Sequence, residues 1–302
     1  MISLMRVLFL VMLLLLALPA PCFAADADAE RNAGIGADQD GKPEEAIAHF
    51  SHSIALAPNK DESYAWRGIE EIKLGRYDDA IEDYTKAIGI NANEPAYYRS
   101  RGLAYARQGD PEHALADNGK AIDLAPDDAS AFVNRANVYV ALKKFDAAIA
   151  DCNTVIDLVQ NKRNKDGTDA EDLAVAYANR GIAYSALGRH DEALADLTEA
   201  IKRRSDAAST YVNRANVYIN LTRYDKAIAD CNTAIKLVDE HRNIDGNDRR
   251  DLALAYANRG IAYSGKGKSK QSKADFAKAR SINPNLRIES PAPSPRGENA
   301  AP

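Results

Sequence analysis

The chain has 302 residues, 46% of them hydrophobic, with 39 Lys and Arg against 44 Asp and Glu and a formal charge of −5. The apolar content is enough for a packed core. The slight acidic excess, with the signs interleaved, excludes a nucleic-acid surface, which needs a basic stripe to neutralise phosphates.

Residues 1–24 differ in composition from the rest. Arg6 precedes an uninterrupted apolar stretch from Val7 to Leu18, and Pro19 and Pro21 follow. The stretch is short for a bilayer span. It has the form of a secretory leader, with Cys22 and Ala24 as the small residues three and one before a cut ahead of Ala25. An uncleaved anchor is one alternative, and a lipoprotein modified on Cys22 is another. PAPC departs from a lipidation signal, which resembles Leu, a small residue, Gly or Ala, then Cys. The expectation is an exported chain starting at Ala25, periplasmic or secreted if the source is bacterial. No later stretch is apolar for long enough to span a membrane.

From Ala27 onward the sequence is periodic. Aligned on GRYDDAIEDYTKAI from Gly75, it divides into 34-residue units at 27–60, 61–94, 95–128, 129–162, 174–207, 208–241 and 253–286, with eleven-residue insertions at 163–173 and 242–252. A larger block is duplicated as well. FVNRANVYVALKKFDAAIADCNTVIDLV from Phe132 returns as YVNRANVYINLTRYDKAIADCNTAIKLV from Tyr211, and DLAVAYANRGIAYSALGR from Asp172 as DLALAYANRGIAYSGKGK from Asp251. In the fifth unit Tyr177, Gly181 and Tyr184 put aromatic, small and aromatic residues at spacings of four and three. Ala193, Leu197 and Ala200 repeat that spacing after Gly188. Each unit therefore predicts two amphipathic helices joined by a turn, neither able to bury its stripe without a neighbour.

With this unit length and these small and aromatic positions, the chain resembles the tetratricopeptide repeat family over residues 27–286. The resemblance implies an all-α fold, a right-handed superhelical solenoid of seven helix-turn-helix repeats. Its first helices would line a concave groove that binds peptides or protein partners, with no chemistry of its own. The first unit departs from the pattern, with Glu30, Gly34 and Ala37 at the aromatic, small and aromatic positions, which predicts a frayed, solvated cap. In the last unit Lys273 and Arg280 replace aliphatics such as Leu194 and Ile201, and charges there would be desolvated by a further unit. Residues 287–302 are rich in proline and predict a disordered tail.

Asparagine recurs once per unit at Asn134, Asn179, Asn213 and Asn258, a position that the resemblance places on the groove. Asn137 and Asn216, three residues further on, add two more amides. Amides both donate and accept, which suits capture of an extended peptide backbone. The alternative is that these amides serve contacts between units. The carboxylate clamp of chaperone-binding family members is not reproduced, because Val133, Ala178, Val212 and Ala257 stand where its first Lys would lie.

A second recurrence pairs Arg67 with Asp83, Arg101 with Asp117, Arg135 with Asp151, Arg180 with Asp196, Arg214 with Asp230 and Arg259 with Asp275. Each pair spans the two helices of a unit and predicts a structural ion-pair ladder. As solvent-exposed pairs these would contribute about 0–1 kcal/mol each. The insertions share N-x-D-G-x-D, faintly like a calcium loop but without its ligand order. Thr168 to Glu171 and Asp248 to Asp251 read as helix caps instead. Cys152 and Cys231 sit in matching DCNT segments two units apart and predict buried thiols, not a bridge. Asn118 and Gly119 interrupt an apolar helix face and mark the third unit as the softest, with a hinge expected between units three and four.

His49 and His52 are the one close histidine pair, and no phosphate loop or nucleophile arrangement is present. The expectation is no enzyme, no cofactor, no metal and no small-molecule substrate. The chain reads as a non-catalytic adaptor that binds a protein or peptide in the cell envelope. A scaffold working through its outer face or its insertions is the rival.

Overall fold

The computed structural model describes residues 20–161, 169–241 and 248–288, with side chains from Ala25 onward except that of Asp169. The apolar leader stretch, all but the last residue of each N-x-D-G-x-D motif, and the tail from residue 289 lie outside the described residues. Among the described residues there are fourteen helices and no strand. They are α1 (Ala20–Gln39), α2 (Pro43–Leu56), α3 (Asp61–Lys73), α4 (Tyr77–Ile90), α5 (Pro95–Gln108), α6 (Pro111–Leu124), α7 (Ala129–Ala141), α8 (Phe145–Gln160), α9 (Asp169–Ala186), α10 (His190–Arg203), α11 (Ala208–Asn220), α12 (Tyr224–Asp239), α13 (Asp248–Gly265) and α14 (Ser269–Ile282).

Local sequence sets the ends of these helices. Pro43, Pro95 and Pro111 open α2, α5 and α6, where a missing N–H costs nothing and the fixed φ suits the first turn. Asp110 and Asp128 cap α6 and α7 by accepting the His113 and Ala131 backbone N–H at 3.1 Å. The turn inside each repeat carries one left-handed residue. In five repeats it is Gly, including Gly188 at φ 76°, and in the duplicated fourth and sixth it is Lys143 at 57° and Thr222 at 56°. Asp169 and Asp248 begin helices, so the last five residues of each insertion continue α9 and α13 toward their N-termini. In the second of these, Leu252 packs with Leu237, Val238, Val212 and Ala255.

The helices group into two units, one reaching Pro126 and one starting at Asp127. In the first, α1 packs on α2, α3 on α4 and α5 on α6, and the pairs are joined by α2 on α3 and α4 on α5. In the second the pairs are α7 with α8, α9 with α10, α11 with α12 and α13 with α14, joined by α8 on α9, α10 on α11 and α12 on α13. There the first helices of adjacent repeats also touch, α7 with α9 and α11 with α13.

The expected fraying of the first helix is not observed. α1 is continuous, and Ala27, Gly34 and Ala37 are buried in it. Its small residues admit the Phe50 ring so closely that a Cβ on Gly34 would lie 2.5 Å from Cε1. Trp66 of the next repeat stacks on Phe50 at 6.2 Å, completing the end of the core.

That close approach is one case of a size rule between the two helices of a repeat. Gly68, Gly181 and Gly260 face Tyr84, Leu197 and Phe276, and a methyl group on any of these glycines would crowd the ring or branch opposite, at 2.9, 2.8 and 2.7 Å. Repeats four and six instead carry Ala136 and Ala215, and their partners shrink to Cys152 and Cys231, all fully buried. Both thiols are free. Burial pushes each up to about 12, which makes them packing groups rather than nucleophiles.

Repeat three breaks the rule. Asn118 fills the large-residue slot against Gly102 and is fully buried. Its Nδ2 donates to the Ala114 carbonyl at 2.8 Å, but Oδ1 has no partner. A buried acceptor left unsatisfied costs about 1–3 kcal/mol. Asn118→Leu, the residue that faces Gly181 in repeat five, is therefore expected to raise stability by about 1–2 kcal/mol. A denaturant midpoint that stays level or falls would contradict this.

The Arg–Asp pairs form, but they are not the exposed ladder expected. All six are two-pronged, with Nε and Nη2 donating to the two carboxylate oxygens at 2.7–2.9 Å. The carboxylates are buried, from 3% exposed at Asp83 to 7% at Asp275. In five repeats Nη1 reaches back to the second helix of the preceding repeat, bonding Ser51, Thr85, Asn153, Thr198 or Asn232 at 2.6–3.1 Å. Each of these five guanidinium groups thus fastens its own helix pair to the one before. At the far end of the array, Lys273 and Arg280 are exposed.

Candidate functional site

The polar face of the second unit is built on α9. Its spacing places Val175, Ala178, Asn179, Ile182, Ser185 and Ala186 on one side of the helix, and that side lines two adjoining recesses. The first, about 180 Å³, runs between Asn137 of α7, Asn179 of α9 and Asn213 of α11. The second, about 290 Å³, continues over Ile182 to Asn213, Asn216 and Asn220. Ile182 and Asn213 belong to both.

Of the six asparagines selected from sequence, the structure gathers four here: Asn137, Asn179, Asn213 and Asn216. Asn179 is buried, and its Nδ2 donates to Oδ1 of Asn137 at 2.8 Å, an amide pair that bridges α7 and α9. Among the described residues, Asn213 and Asn216 make no side-chain hydrogen bond, and Asn216 is exposed. Asn258 stands apart. It is buried, and its Nδ2 donates to the Val212 carbonyl at 3.2 Å, a contact between repeats. Asn134 lines neither recess.

The recesses hold one charged side chain, Arg204, whose Nη1 lies 3.3 Å from Glu171 Oε1. Small residues, Ala178, Ala200, Ala207 and Ser209, make up much of the remaining wall. The surface is thus rich in amides and short side chains, with Ile182 at its centre and Val175 and Leu197 as further branched apolar residues in its wall. It can exchange hydrogen bonds with a peptide main chain, and the one fixed charge in its wall, Arg204, is shared with Glu171.

Sequence reading missed three features of this face: Asn220, the central place of Ile182, and the pairing of Arg204. The helical spacing of Ile182 from Asn179 was a usable signal for the second. Elsewhere, His49 Nδ1 lies 2.7 Å from Glu30 of α1, with His52 at 3.9 Å. Among the described residues, no group of His, Cys, Asp and Glu is arranged to hold a metal ion. No described helix is long and apolar enough to cross a membrane.

Family models described as tetratricopeptide repeat match residues 127–206, 179–241 and 253–286, and one described as TPR repeat matches residues 70–109. Nothing among the curated proteins matches the chain. Among solved structures, a tetratricopeptide repeat protein from Parabacteroides merdae aligns with a TM-score of 0.62 at 18% identity, covering 86% of this chain and 94% of that one. The Cut9-Hcn1 hetero-tetramer of APC/C aligns with a TM-score of 0.65 at 20% identity, over 76% of this chain and 42% of that chain. The thermophilic protein TTC0263 of Thermus thermophilus aligns at 0.50 and 21% identity, over 64% and 99%. At these identities the likeness is one of fold.

Proposed function

The chain belongs to the tetratricopeptide repeat family, and on that premise we propose that it is a non-catalytic adaptor. It holds an extended, uncharged segment of a protein partner across the amide face of α7, α9 and α11. The observation that carries this reading is the pair of amides, Asn213 and Asn216, without a side-chain hydrogen bond among the described residues and set in recesses around Ile182. A peptide main chain laid there satisfies those amides and covers Ile182, while the small walls leave room for the backbone. The neighbouring Asn137–Asn179 pair shows an amide already bonded by an amide on this face.

The location belongs to the same proposal. Arg6, the apolar run from Val7 to Leu18 and the small residues Cys22 and Ala24 support export to the cell envelope. The rival is a scaffold that binds through its outer face or insertions. A variant with Asn137, Asn179, Asn213 and Asn216 changed to alanine separates the two. It should lose partner binding if the amide face is the site and retain it if the outer face is.

A further inference from the structure

Repeat two departs from the others at two adjacent positions in α3. Where the later first helices place Ala104, Val138, Ala183, Val217 and Ala262 in the core, α3 places Glu70, which is fully buried. At the next position Tyr105, Tyr139, Tyr184, Tyr218 and Tyr263 give way to Glu71, 7% exposed. In repeats four to six that tyrosine ring flanks the arginine of the ion pair, as Tyr184 does for Arg180 at 5.8 Å. In repeat two a carboxyl replaces it, with Glu71 Oε1 3.9 Å from Arg67 Nε.

Neither glutamate is fully satisfied. Oε2 of Glu70 and Oε2 of Glu71 are both buried without a hydrogen-bond partner. Glu70 Oε1 accepts from Lys73 at 2.7 Å, but Lys73 also pairs with Asp38 of α1. Glu71 shares Arg67 with Asp83 of α4, to which the guanidinium donates twice at 2.7 Å. Asp79 of α4 adds a further negative charge. From α2 the Ser51 hydroxyl takes the remaining arm of Arg67, and from α5 Arg99 acts on the neighbouring buried Tyr84. Arg67 and Lys73 are thus divided among Asp38, Glu70, Glu71 and Asp83.

A buried carboxylate oxygen with no donor is costly, and the neutral acid is less so. We propose that the second repeat is a pH-responsive element, in which proton uptake by Glu70 and Glu71 under mildly acidic conditions tightens α3 against α1 and α4 and stabilises the N-terminal unit. Burial, reinforced by Asp38, lifts Glu70 above its ordinary range, and burial with the Asp83 charge lifts Glu71 to about 8. Both shifts are upward, so between the unfolded and folded values the folded unit holds protons that the unfolded chain has released. The stabilisation is complete below the ordinary glutamate value of 4.5 and is lost as pH rises through about 8.

The test is hydrogen exchange of α3 and α4 in the full chain at pH 5.5 and 8, corrected for intrinsic rates, in the parent and in Glu70→Ala/Glu71→Tyr. These substitutions restore residues that other repeats carry at the same places. Protection in the parent should rise at least about tenfold from pH 8 to pH 5.5, since raising a pKa by one in the folded state is worth a factor of about ten in the folding equilibrium. Asp83, which burial also shifts upward, stays in both proteins, so the variant should lose most of the pH dependence and approach the acid-state parent at pH 8. His49, His52 and His113 are present in both proteins, so the difference isolates the glutamates. Equal pH dependence in the two proteins would overturn the proposal. If the variant does not fold, the carboxyl-carbon resonances of the parent decide: titration of both glutamates in the ordinary carboxylate range overturns it, and elevated titration sustains it.

Discussion

Arg180→Ala is expected to cost about 2–4 kcal/mol of unfolding free energy at neutral pH, far more than loss of a surface ion pair. Its partner Asp196 is 6% exposed and receives Nε at 2.7 Å and Nη2 at 2.8 Å. Removing the guanidinium leaves that carboxylate in the helix interface without its counter-charge. It also breaks the bond from Nη1 to Asn153 of the preceding repeat at 2.6 Å, and it uncovers the rings of Tyr177 and Tyr184, 5.4 and 5.8 Å away. The Asp196 bond is the leading cause of the arginine's upward pKa shift, the direction that favours the charged state. Asp196→Ala strands the arginine in turn. The double change, having no stranded charge, should cost clearly less than the sum of the two single changes. Additive losses in denaturant unfolding would show that the pairing does not hold the helices together.

The second large effect concerns packing size. Gly181→Ala places a methyl 2.8 Å from Leu197 Cγ and 3.3 Å from the Ala193 carbonyl oxygen, so α9 and α10 must separate or Leu197 must leave its rotamer. Overpacking of this kind costs about 1–3 kcal/mol, which exceeds the helix-propensity gain of about 1 kcal/mol at the upper end. Leu197→Cys alone leaves a void where a fully buried side chain stood and should cost about 2–3 kcal/mol. Together the two changes reproduce the Ala136–Cys152 and Ala215–Cys231 pairs of the same chain. The double variant should therefore recover most of the loss. Two losses that simply add would mean that the size rule is coincidental.

Much of the fold was legible because the period is long and in phase. Tyr177, Gly181 and Tyr184 fix one apolar stripe, Ala193, Leu197 and Ala200 fix the other, and Gly188 marks the turn. What the pattern could not show was burial of charge. A recurrent arginine and aspartate read as an exposed ladder because isolated charges are seldom buried. Only the contact between helices reveals that the aspartates lie inside and that the third arm of the arginine spans to the preceding repeat. The erosion of the first repeat was misread for a related reason. Gly34 and Ala37 look like missing core, whereas Phe50 and Trp66 move into the space they leave.

The candidate site was half legible. Repeat position placed Asn179 and Asn213 on one face, and helical spacing added Asn137 and Asn216. The same position does not fix where an amide points, since Asn258 turns to the Val212 carbonyl. Glu70 and Glu71 were visible in the alignment of repeats as acids among Ala, Val and Tyr. They passed unnoticed because Tyr64 and Gly68 satisfy the rest of the pattern.

The central claim is that the amide face of α7, α9 and α11 binds an extended peptide segment. The direct measurement is the dissociation constant of a partner or display-selected peptide for the parent and for the variant with Asn137, Asn179, Asn213 and Asn216 changed to alanine, after circular dichroism has established that both fold. Loss of several backbone hydrogen bonds at about 1 kcal/mol each predicts binding weakened by about 100-fold or more. An unchanged constant would contradict the account and place recognition on the outer face or the insertions.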